Sequence, residues 1–363
     1  MNQGLILGLI IVIIAVMAML PANINAAEQS RPQLGLALGG GSALGFTHIG
    51  VLKWLEENRI PVDYIAGTSM GGLIGGFYAM GMSPQEIEEL VKSVNWDRMF
   101  NSDPPYDSMT FRRKEDLRDY PSEIKLGARD GVFMPNGLSI YQVDFLLSRI
   151  TLPYSTVKNF NELPIPYRCV ATDIRSSRAV VLEDGSLPEA MRATMSIPGV
   201  FVPVEREGML LVDGGLVNNV PADVVKVMGA DRVIAVNCNE SNDTKDLRRL
   251  DSFLMSTINS VIVNNTRQAL QNADVVIHPE VAGVSLMDWK EVNKFITAGY
   301  WAAAEQAGQL RKFALDEAAW QEYLQQRSQR KRLGTIIPQT LEVRGTNAVN
   351  RRSIQTALQP LVG

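Results

Sequence analysis

Two short apolar runs near the start of the chain are each followed by glycines and then by a segment with helical periodicity. Residues 33–38 (QLGLAL) lead into Gly39-Gly40-Gly41, and residues 62–66 (VDYIA) lead into Gly67-Thr68-Ser69-Met70-Gly71. After each glycine turn, apolar residues recur at the spacing of one helix face. A strand, a turn and a helix, repeated in that order, require parallel strands joined by helical crossovers. The pattern therefore predicts an α/β layered fold.

Short apolar runs alternate with helical segments along the rest of the chain. Short runs rich in β-branched residues predict further strands at 167–172, 179–182, 209–212, 232–236 and 275–277. Helical spacing predicts helices at 48–58, 73–80, 84–94, 140–150, 187–194, 222–228, 253–272 and 289–326, the last kinked near Gly299 or Gly308. Between residues 97 and 137 the periodicity fades, and a functional lid and a solvated loop remain equal alternatives.

Ser69 stands in the pattern G-x-S-x-G, between Gly67 and Gly71. The pattern alone is common, but here it follows an apolar run and opens a helix, which is the setting of a nucleophile elbow. The flanking glycines remove side chains where a tight turn clashes, and the hydroxyl is held at a helix N-terminus. We therefore expect Ser69 to be a nucleophile, with a plain Gly-Ser turn as the alternative.

A second glycine turn, formed by Gly39, Gly40, Gly41 and Ser42, lies at the other strand-to-helix junction. Backbone N–H groups at such a junction bind anions. A nucleotide phosphate is one candidate guest, although the spacing is neither G-x-G-x-x-G nor that of a P-loop. The favoured guest is the oxyanion of an acyl-transfer intermediate, which needs backbone donors beside the nucleophile.

An activated serine needs a base, and the chain has only two histidines, His48 and His278. His48 lies in the first predicted helix, where packing or capping is favoured over catalysis. His278 follows a predicted strand. The order Ser69, Asp213, His278 is that of an α/β-hydrolase triad, so a triad is one hypothesis.

Asp213 offers a base without an imidazole. It ends the apolar run LLVD and precedes Gly214 and Gly215, which would form the turn after the base. In α/β sheets, functional groups gather where strands end. A carboxylate in contact with the serine hydroxyl would accept its proton directly.

Taken together, the motifs resemble the bacterial patatin-like phospholipase family. The resemblance covers about residues 33–280 and rests on LALGGGSALGFTHIGVLKWLEE, YIAGTSMGGLIGGFYAMG, YRCVATDI, AMRATMSIPGVFVPV and LLVDGGLVNNVP. It implies a three-layer α/β/α fold with a mainly parallel sheet, and a dyad of Ser69 and Asp213. It also implies an oxyanion hole at Gly39, Gly40, Gly41 and Ser42. The implied substrates are acyl esters of phospholipids or lysophospholipids at a membrane surface, with no metal and no cofactor.

The glycine turn departs from the family pattern at two positions. Ser42 replaces a usual fourth glycine, and Leu44 replaces a usual arginine. The Ser42 N–H is retained, so the oxyanion hole is expected to form if φ at Ser42 is negative. Loss of the arginine predicts weaker stabilisation of an anion. The alternative to an active esterase is therefore an impaired member that acts as a lipid-binding or secretion-linked module.

The two ends of the chain differ from the predicted catalytic domain, residues 33–330. Residues 4–20 carry no charge, and Pro21 and Ala26 follow, which predicts a signal peptide over residues 1–26. An uncleaved anchor is the alternative. Residues 335–363 resemble, with less specificity, the start of a polypeptide-transport-associated (POTRA) repeat, with a frayed strand and helix as the alternative. We expect an exported protein that is periplasmic, secreted or associated with an outer membrane through this tail.

Composition excludes several other classes. A formal net charge of −4, without a basic stripe, argues against a nucleic-acid-binding protein. Two cysteines exclude a disulfide framework, and two histidines leave little room for a histidine-based metal site. Cys169 and Cys238 either form one bridge in an oxidising compartment or remain two buried thiols.

Overall fold

The computed structural model describes residues 31–99, 127–128, 132–133, 141–198, 200–238, 250–281, 288–332, 351–352 and 355. The chain divides into two compact units, Met1–Pro32 and Gln33–Gly363, and every element named below belongs to the second. The predicted signal peptide, most of the 97–137 loop and nearly all of the 335–363 tail lie outside the described residues. No described helix combines the length and the apolar character that a bilayer crossing requires.

Within the described residues the chain forms ten strands. In chain order they are β1 Leu34–Leu38, β2 Tyr64–Thr68, β3 Gly127–Ala128, β4 Val132–Phe133, β5 Tyr167–Asp173, β6 Arg178–Leu182, β7 Val204–Arg206, β8 Met209–Asp213, β9 Arg232–Val236 and β10 Val275–Ile277.

Helices connect these strands. In chain order the α-helices are α1 Thr47–Glu57, α2 Met70–Ala79, α3 Pro84–Ser93, α4 Trp96–Met99, α5 Tyr141–Thr151, α6 Leu187–Thr194, α7 Ala222–Met228, α8 Leu250–Ala269, α9 Val292–Glu305, α10 Ala307–Leu310 and α11 Glu317–Arg330. Short 3₁₀ helices span Ser42–Phe46, Leu152–Tyr154, Phe160–Glu162, Gly214–Leu216, Leu270–Asn272, Trp289–Glu291 and Arg311–Phe313.

One mixed sheet of eight strands positions the glycine turns. Its order is β10-β9-β1-β2-β5-β8-β7, and β6 pairs with β5 on a separate branch. The strands β10, β9, β1, β2 and β5 are parallel, whereas β6, β7 and β8 run antiparallel to their neighbours. Because Leu38 pairs with Gly67 in register, the turns that follow β1 and β2 leave the same edge of the sheet side by side.

Side chains of the sheet alternate between two hydrophobic cores. In β1, Leu36 and Leu38 belong to the core that contains residues of α1, α2, α3, α6 and α9. Ala37 belongs instead to a second core, with Val224 and Val225 of α7. Helices therefore cover both faces, and the predicted three-layer α/β/α class is confirmed, with the parallel strands in the majority.

The prediction of one long helix over 289–326 is wrong. The segment is divided among α9, α10, α11 and two 3₁₀ turns, and α9 ends at Glu305. Gly299 does not mark the break, because it lies inside α9 where the helix crosses α1. A Cβ at Gly299 would lie 1.9 Å from the Thr47 carbonyl oxygen. A new helix begins after Asp316, whose carboxylate accepts a hydrogen bond from the Ala319 N–H at 2.8 Å.

Both cysteines are free and buried, so the alternative of two buried thiols holds and the bridge does not form in this structure. The Cys169 thiol faces the Ala190 carbonyl oxygen at 3.4 Å. The Cys238 sulfur lies 3.0 Å from the Thr47 hydroxyl, against the opening turn of α1. The two thiols thus occupy different neighbourhoods of the core.

Candidate active site

Ser69 occupies a strained turn between β2 and α2. Its φ is 54° and its ψ is −125°, a conformation that costs a non-glycine residue free energy and is concentrated at functional sites. The Ser69 N–H donates to the Thr194 hydroxyl oxygen at 3.0 Å. The Thr194 hydroxyl in turn donates to the Val170 carbonyl oxygen of β5. The end of α6 therefore holds the strained turn in place.

The glycines on either side of Ser69 permit close backbone contacts. A Cβ at Gly67 would lie 2.4 Å from the Gly71 carbonyl oxygen, and a Cβ at Gly71 would lie 2.2 Å from the Leu38 carbonyl oxygen. No side chain fits at either distance. These contacts draw the first turn of α2 against the end of β1, which brings Ser69 beside the glycine turn that follows β1.

Asp213 comes to the same place from the end of β8. The Ser69 hydroxyl lies close enough to its carboxylate to favour the charged form, and the Gly215 N–H donates to Asp213 Oδ1 at 2.8 Å. The Asp213 N–H donates to the Ser196 carbonyl oxygen at 2.8 Å. Gly214 is required here because a Cβ would lie 2.2 Å from the Val170 carbonyl oxygen. The backbone and the side chain of Asp213 are therefore both held by hydrogen bonds.

Burial tunes the acidity of this carboxylate. Ser69 and Asp213 are each only 6% exposed. Burial raises the pKa of Asp213 from 3.8 to about 6, because the charged form loses its hydration. The nearby Ser69 hydroxyl and the Gly215 N–H oppose this rise by favouring the charged form. At neutral pH the carboxylate is ionised and more basic than an exposed aspartate, as suits a general base.

The glycine turn lies against Ser69, but two of its N–H groups are already engaged. A Cβ at Gly40 would lie 2.9 Å from Ser69 Cβ. The Gly39 N–H donates to the Val236 carbonyl oxygen at 3.0 Å, and the Gly40 N–H donates to the Asn219 carbonyl oxygen at 3.2 Å. Neither is available to an oxyanion in this conformation, which corrects their assignment as donors. The Gly41 N–H has no acceptor among the described residues.

Ser42 does not meet the condition expected from the sequence. Its φ is 53°, in the left-handed region, where the family pattern has a glycine. The neighbouring Leu44 is half-buried against the hydrophobic core, and its N–H donates to the Gly41 carbonyl oxygen at 3.0 Å. The oxyanion hole remains a prediction, now centred on Gly41.

His48 supports the glycine turn from within α1. Its Nε2–H donates to the Gly39 carbonyl oxygen at 2.7 Å. Burial lowers the pKa of His48 to about 4, because removal from water disfavours the charged ring. The ring is therefore neutral at physiological pH, and its role is the packing role favoured from the sequence.

His278 lies at a distance from Ser69 that excludes a triad. Its Nδ1–H donates to the Asn237 carbonyl oxygen at 2.9 Å. It follows β10, which is separated from β2 by β9 and β1. Three strand spacings amount to about 14 Å, well beyond hydrogen-bonding reach. The Ser69–Asp213–His278 hypothesis is therefore wrong for this structure.

Sequence reasoning missed two residues that hold the site together. Thr194 anchors the Ser69 N–H, and Asn219 pairs with Gly40. Both lie in motif segments that carried the resemblance, AMRATMSIPG and DGGLVNNVP. Nothing in their local pattern distinguishes them from ordinary polar residues, because their partners come from other strands.

Sequence comparison matches this chain to a family model and to several known proteins. The sequence model described as patatin-like phospholipase matches residues 36–226. A patatin-like phospholipase domain-containing protein of Caenorhabditis elegans is 37% identical over 213 residues, which are 58% of this chain and 14% of that protein. Lysophospholipase NTE1 of Mycosarcoma maydis is 32% identical over 211 residues, which are 58% of this chain and 10% of that protein.

A bacterial relative is closer in length. An uncharacterized NTE family protein of Mycobacterium tuberculosis is 34% identical over 221 residues, which are 61% of this chain and 53% of that protein. The chain thus spans about half the length, or less, of these curated relatives. Among solved structures, VipD of Legionella pneumophila aligns with a TM-score of 0.38 and 14% identity, over 83% of this chain and 74% of that chain.

Proposed function

Since this chain belongs to the patatin-like phospholipase family, a family of lipid hydrolases, we propose that it cleaves acyl esters of phospholipids or lysophospholipids through a dyad of Ser69 and Asp213. The observation that carries the proposal is that the Ser69 hydroxyl, in a strained turn, lies beside the buried carboxylate of Asp213 and favours its charged form. A nucleophile beside a base of suitable pKa is the arrangement that acyl transfer requires.

In the acylation step, Asp213 takes the proton from Ser69 Oγ while Oγ forms a bond to the ester carbonyl carbon. The negative charge that develops on the carbonyl oxygen is stabilised by the backbone N–H group of Gly41, and by the N-terminus of α2. Collapse of this intermediate breaks the bond to the alcohol oxygen. That oxygen leaves with the proton that Asp213 received.

In the deacylation step, water replaces the alcohol. Asp213 takes a proton from the water as its oxygen attacks the acyl carbon. The second tetrahedral intermediate breaks the bond to Ser69 Oγ, which recovers the proton from Asp213, and the fatty acid leaves. Each half of the reaction thus returns Asp213 to its ionised form, and deacylation restores the proton of the Ser69 hydroxyl.

The relatives support the substrate class. One of them carries the name lysophospholipase, and the matched segment of this chain contains both Ser69 and Asp213. An acyl substrate of this kind is presented at a membrane or micelle surface. We therefore include a membrane surface among the partners of the proposed enzyme.

The proposal is tested by incubating the purified protein with defined phospholipids and lysophospholipids and measuring released fatty acids by mass spectrometry. Ser69→Ala and Asp213→Asn are expected to lower the rate at least about 1,000-fold. Equal rates for wild type and Ser69→Ala would contradict the proposal. Lipid binding without hydrolysis, measured by co-sedimentation with vesicles, would then favour the impaired, lipid-binding alternative.

We also propose that the enzyme acts outside the cytoplasm. The uncharged run over residues 4–20 supports an export signal, and the resemblance of residues 341–347 to a POTRA repeat supports association with an outer membrane. The intact mass of the protein recovered from the expressing cell tests this, with Ala27 expected as the first residue. Recovery of the full-length protein from the cytoplasmic fraction would contradict it.

A further inference from the structure

Asn219 lies between the two loops that form the candidate site. It belongs to the connection between β8 and α7 and is only 1% exposed. A Cβ built on Gly40 would lie 2.7 Å from Asn219 Oδ1, and one built on Gly215 would lie 3.1 Å from the same atom. The asparagine thus fills the space between the glycine turn after β1 and the turn after Asp213.

Asn219 and Gly40 exchange two hydrogen bonds. The Gly40 N–H donates to the Asn219 carbonyl oxygen at 3.2 Å, and the Asn219 side-chain Nδ2–H donates to the Gly40 carbonyl oxygen at 3.4 Å. Both polar groups of Gly40 are therefore held by one residue. An asparagine can make both bonds because its side-chain amide is a donor and its backbone carbonyl, close by, is an acceptor.

Thr266 of α8 sets the orientation of the Asn219 amide. The Thr266 hydroxyl donates to the Ile262 carbonyl oxygen at 2.8 Å, so its oxygen accepts from Asn219 Nδ2 at 3.3 Å. Because the hydroxyl proton is already used, the atom that faces Thr266 must be a donor. The NH₂ group is therefore directed toward Gly40. We call the two hydrogen bonds between Asn219 and Gly40 the clamp, in which the Asn219 side chain is the donor.

Peptide geometry carries the effect of this clamp to Gly41. The Gly40 carbonyl and the Gly41 N–H belong to one planar trans peptide group, so they point in opposite directions. A bond that fixes the Gly40 carbonyl oxygen toward Asn219 therefore fixes the Gly41 N–H away from it. That N–H is the one without an acceptor among the described residues, in the turn that lies against Ser69.

We propose that Asn219 is a positioning residue that aims the Gly41 N–H at the oxyanion, an inference that rests on the proposed esterase function. Asn219 itself does not touch the reacting atoms. It acts through the Gly40–Gly41 peptide group, while His48 holds the preceding Gly39 carbonyl oxygen. Together the two buried side chains hold the carbonyl oxygens of Gly39 and Gly40.

The test compares two variants with a neighbouring control. Asn219→Ala keeps the backbone acceptor and removes the donor, and Asn219→Asp keeps the shape of the side chain and also removes the donor. Asn218→Ala is the matched control, since the Asn218 side chain donates to Asp223 at 2.8 Å instead. If the clamp aims an oxyanion donor, both Asn219 variants lose about 10- to 100-fold in kcat with KM nearly unchanged, while the control does not.

A tetrahedral probe separates positioning from general destabilisation. The rate of inactivation by a phosphonate ester, which forms a tetrahedral adduct on serine, is expected to fall in parallel with kcat. Wild-type kcat and inactivation rate in folded Asn219→Asp would overturn the inference. So would a loss of equal size in Asn218→Ala, because the effect would then belong to the loop rather than to the clamp.

Hydrogen exchange gives a measurement that does not depend on activity. In the peptide that contains Gly39 to Ser42, the amides are expected to exchange about tenfold faster in Asn219→Ala than in Asn218→Ala. If wild type and Ser69→Ala hydrolyse esters equally, the proposed function fails, and exchange still decides whether the clamp exists. If Ser69 is essential and exchange is unchanged in Asn219→Ala, only the inference about Asn219 fails.

Discussion

The Ser69 hydroxyl lies beside the Asp213 carboxylate and favours its charged form, although the two residues come from strands that are not neighbours. Ser69 follows β2 and Asp213 ends β8, and β5 lies between these strands in the sheet. Close backbone contacts at Gly67 and Gly214 accompany this approach. Ser69 and Asp213 thus meet where β2 and β8 end rather than through pairing of these two strands.

The pH dependence of activity follows from the pKa of Asp213. Burial raises that pKa to about 6, and only the ionised carboxylate accepts the serine proton. The value of kcat/KM is therefore expected to fall about tenfold per pH unit below pH 6 and to level off above it. Rates on a soluble ester between pH 4.5 and 8, with circular dichroism at each pH to verify folding, check this. A flat profile between pH 5 and 8 would remove Asp213 as the base.

Replacing Asp213 by asparagine is expected to stabilise the fold while abolishing activity. The folded-state pKa of about 6 lies above the ordinary 3.8, so the native state loses stability as pH rises between these values. Asp213→Asn removes that cost and is expected to raise Tm by roughly 5 °C at pH 7.5.

The gain in Tm is expected to shrink as pH falls from 6 toward 3.8 and to disappear only well below 3.8, where wild-type Asp213 is protonated both folded and unfolded. Asp223→Asn, at an exposed position in the first turn of α7, is the control and is expected to show no gain. A lower Tm for Asp213→Asn than for wild type at pH 7.5 would contradict the prediction.

His278→Ala is expected to retain activity within about threefold of wild type, because three strand spacings, about 14 Å, separate β10 from β2. Esterase rates measured beside those of Asp213→Asn check this expectation. A folded His278→Ala protein that is as inactive as Asp213→Asn would restore the triad and remove the dyad.

Thr194→Val is expected to damage the nucleophile turn. It leaves the Ser69 N–H buried without its acceptor, which costs roughly 1–3 kcal/mol of unfolding free energy and loosens the position of Oγ. Thr194→Ser keeps the hydroxyl and is expected to retain most of the activity. Chemical denaturation and kcat for both variants provide the measurement. A loss in Thr194→Ser as large as that in Thr194→Val would contradict the prediction, because Thr194→Ser keeps the hydroxyl that accepts from the Ser69 N–H.

Local pattern predicted much of the fold and the turn that holds Ser69. The structure confirms that Ser69 lies in a tight turn between a strand and a helix, and G-x-S-x-G in that setting requires only neighbouring residues. The strands at 232–236 and 275–277 and the helices at 187–194 and 222–228 have the predicted bounds. The break before α11 was not predicted, although Asp316 is a local cap. The short strand β7 was missed, since three residues carry too little periodicity.

The choice of base required the tertiary structure. Asp213 and His278 both follow apolar runs, and only the order of strands in the sheet decides which of them reaches Ser69. The sequence alone determined that a nucleophile turn and a glycine turn exist, because each depends on backbone conformations that neighbouring glycines permit. Only the tertiary structure decided which N–H groups remain available. The acceptors that engage Gly39 and Gly40, on Val236 and Asn219, are distant in sequence and are brought there by packing of the whole sheet.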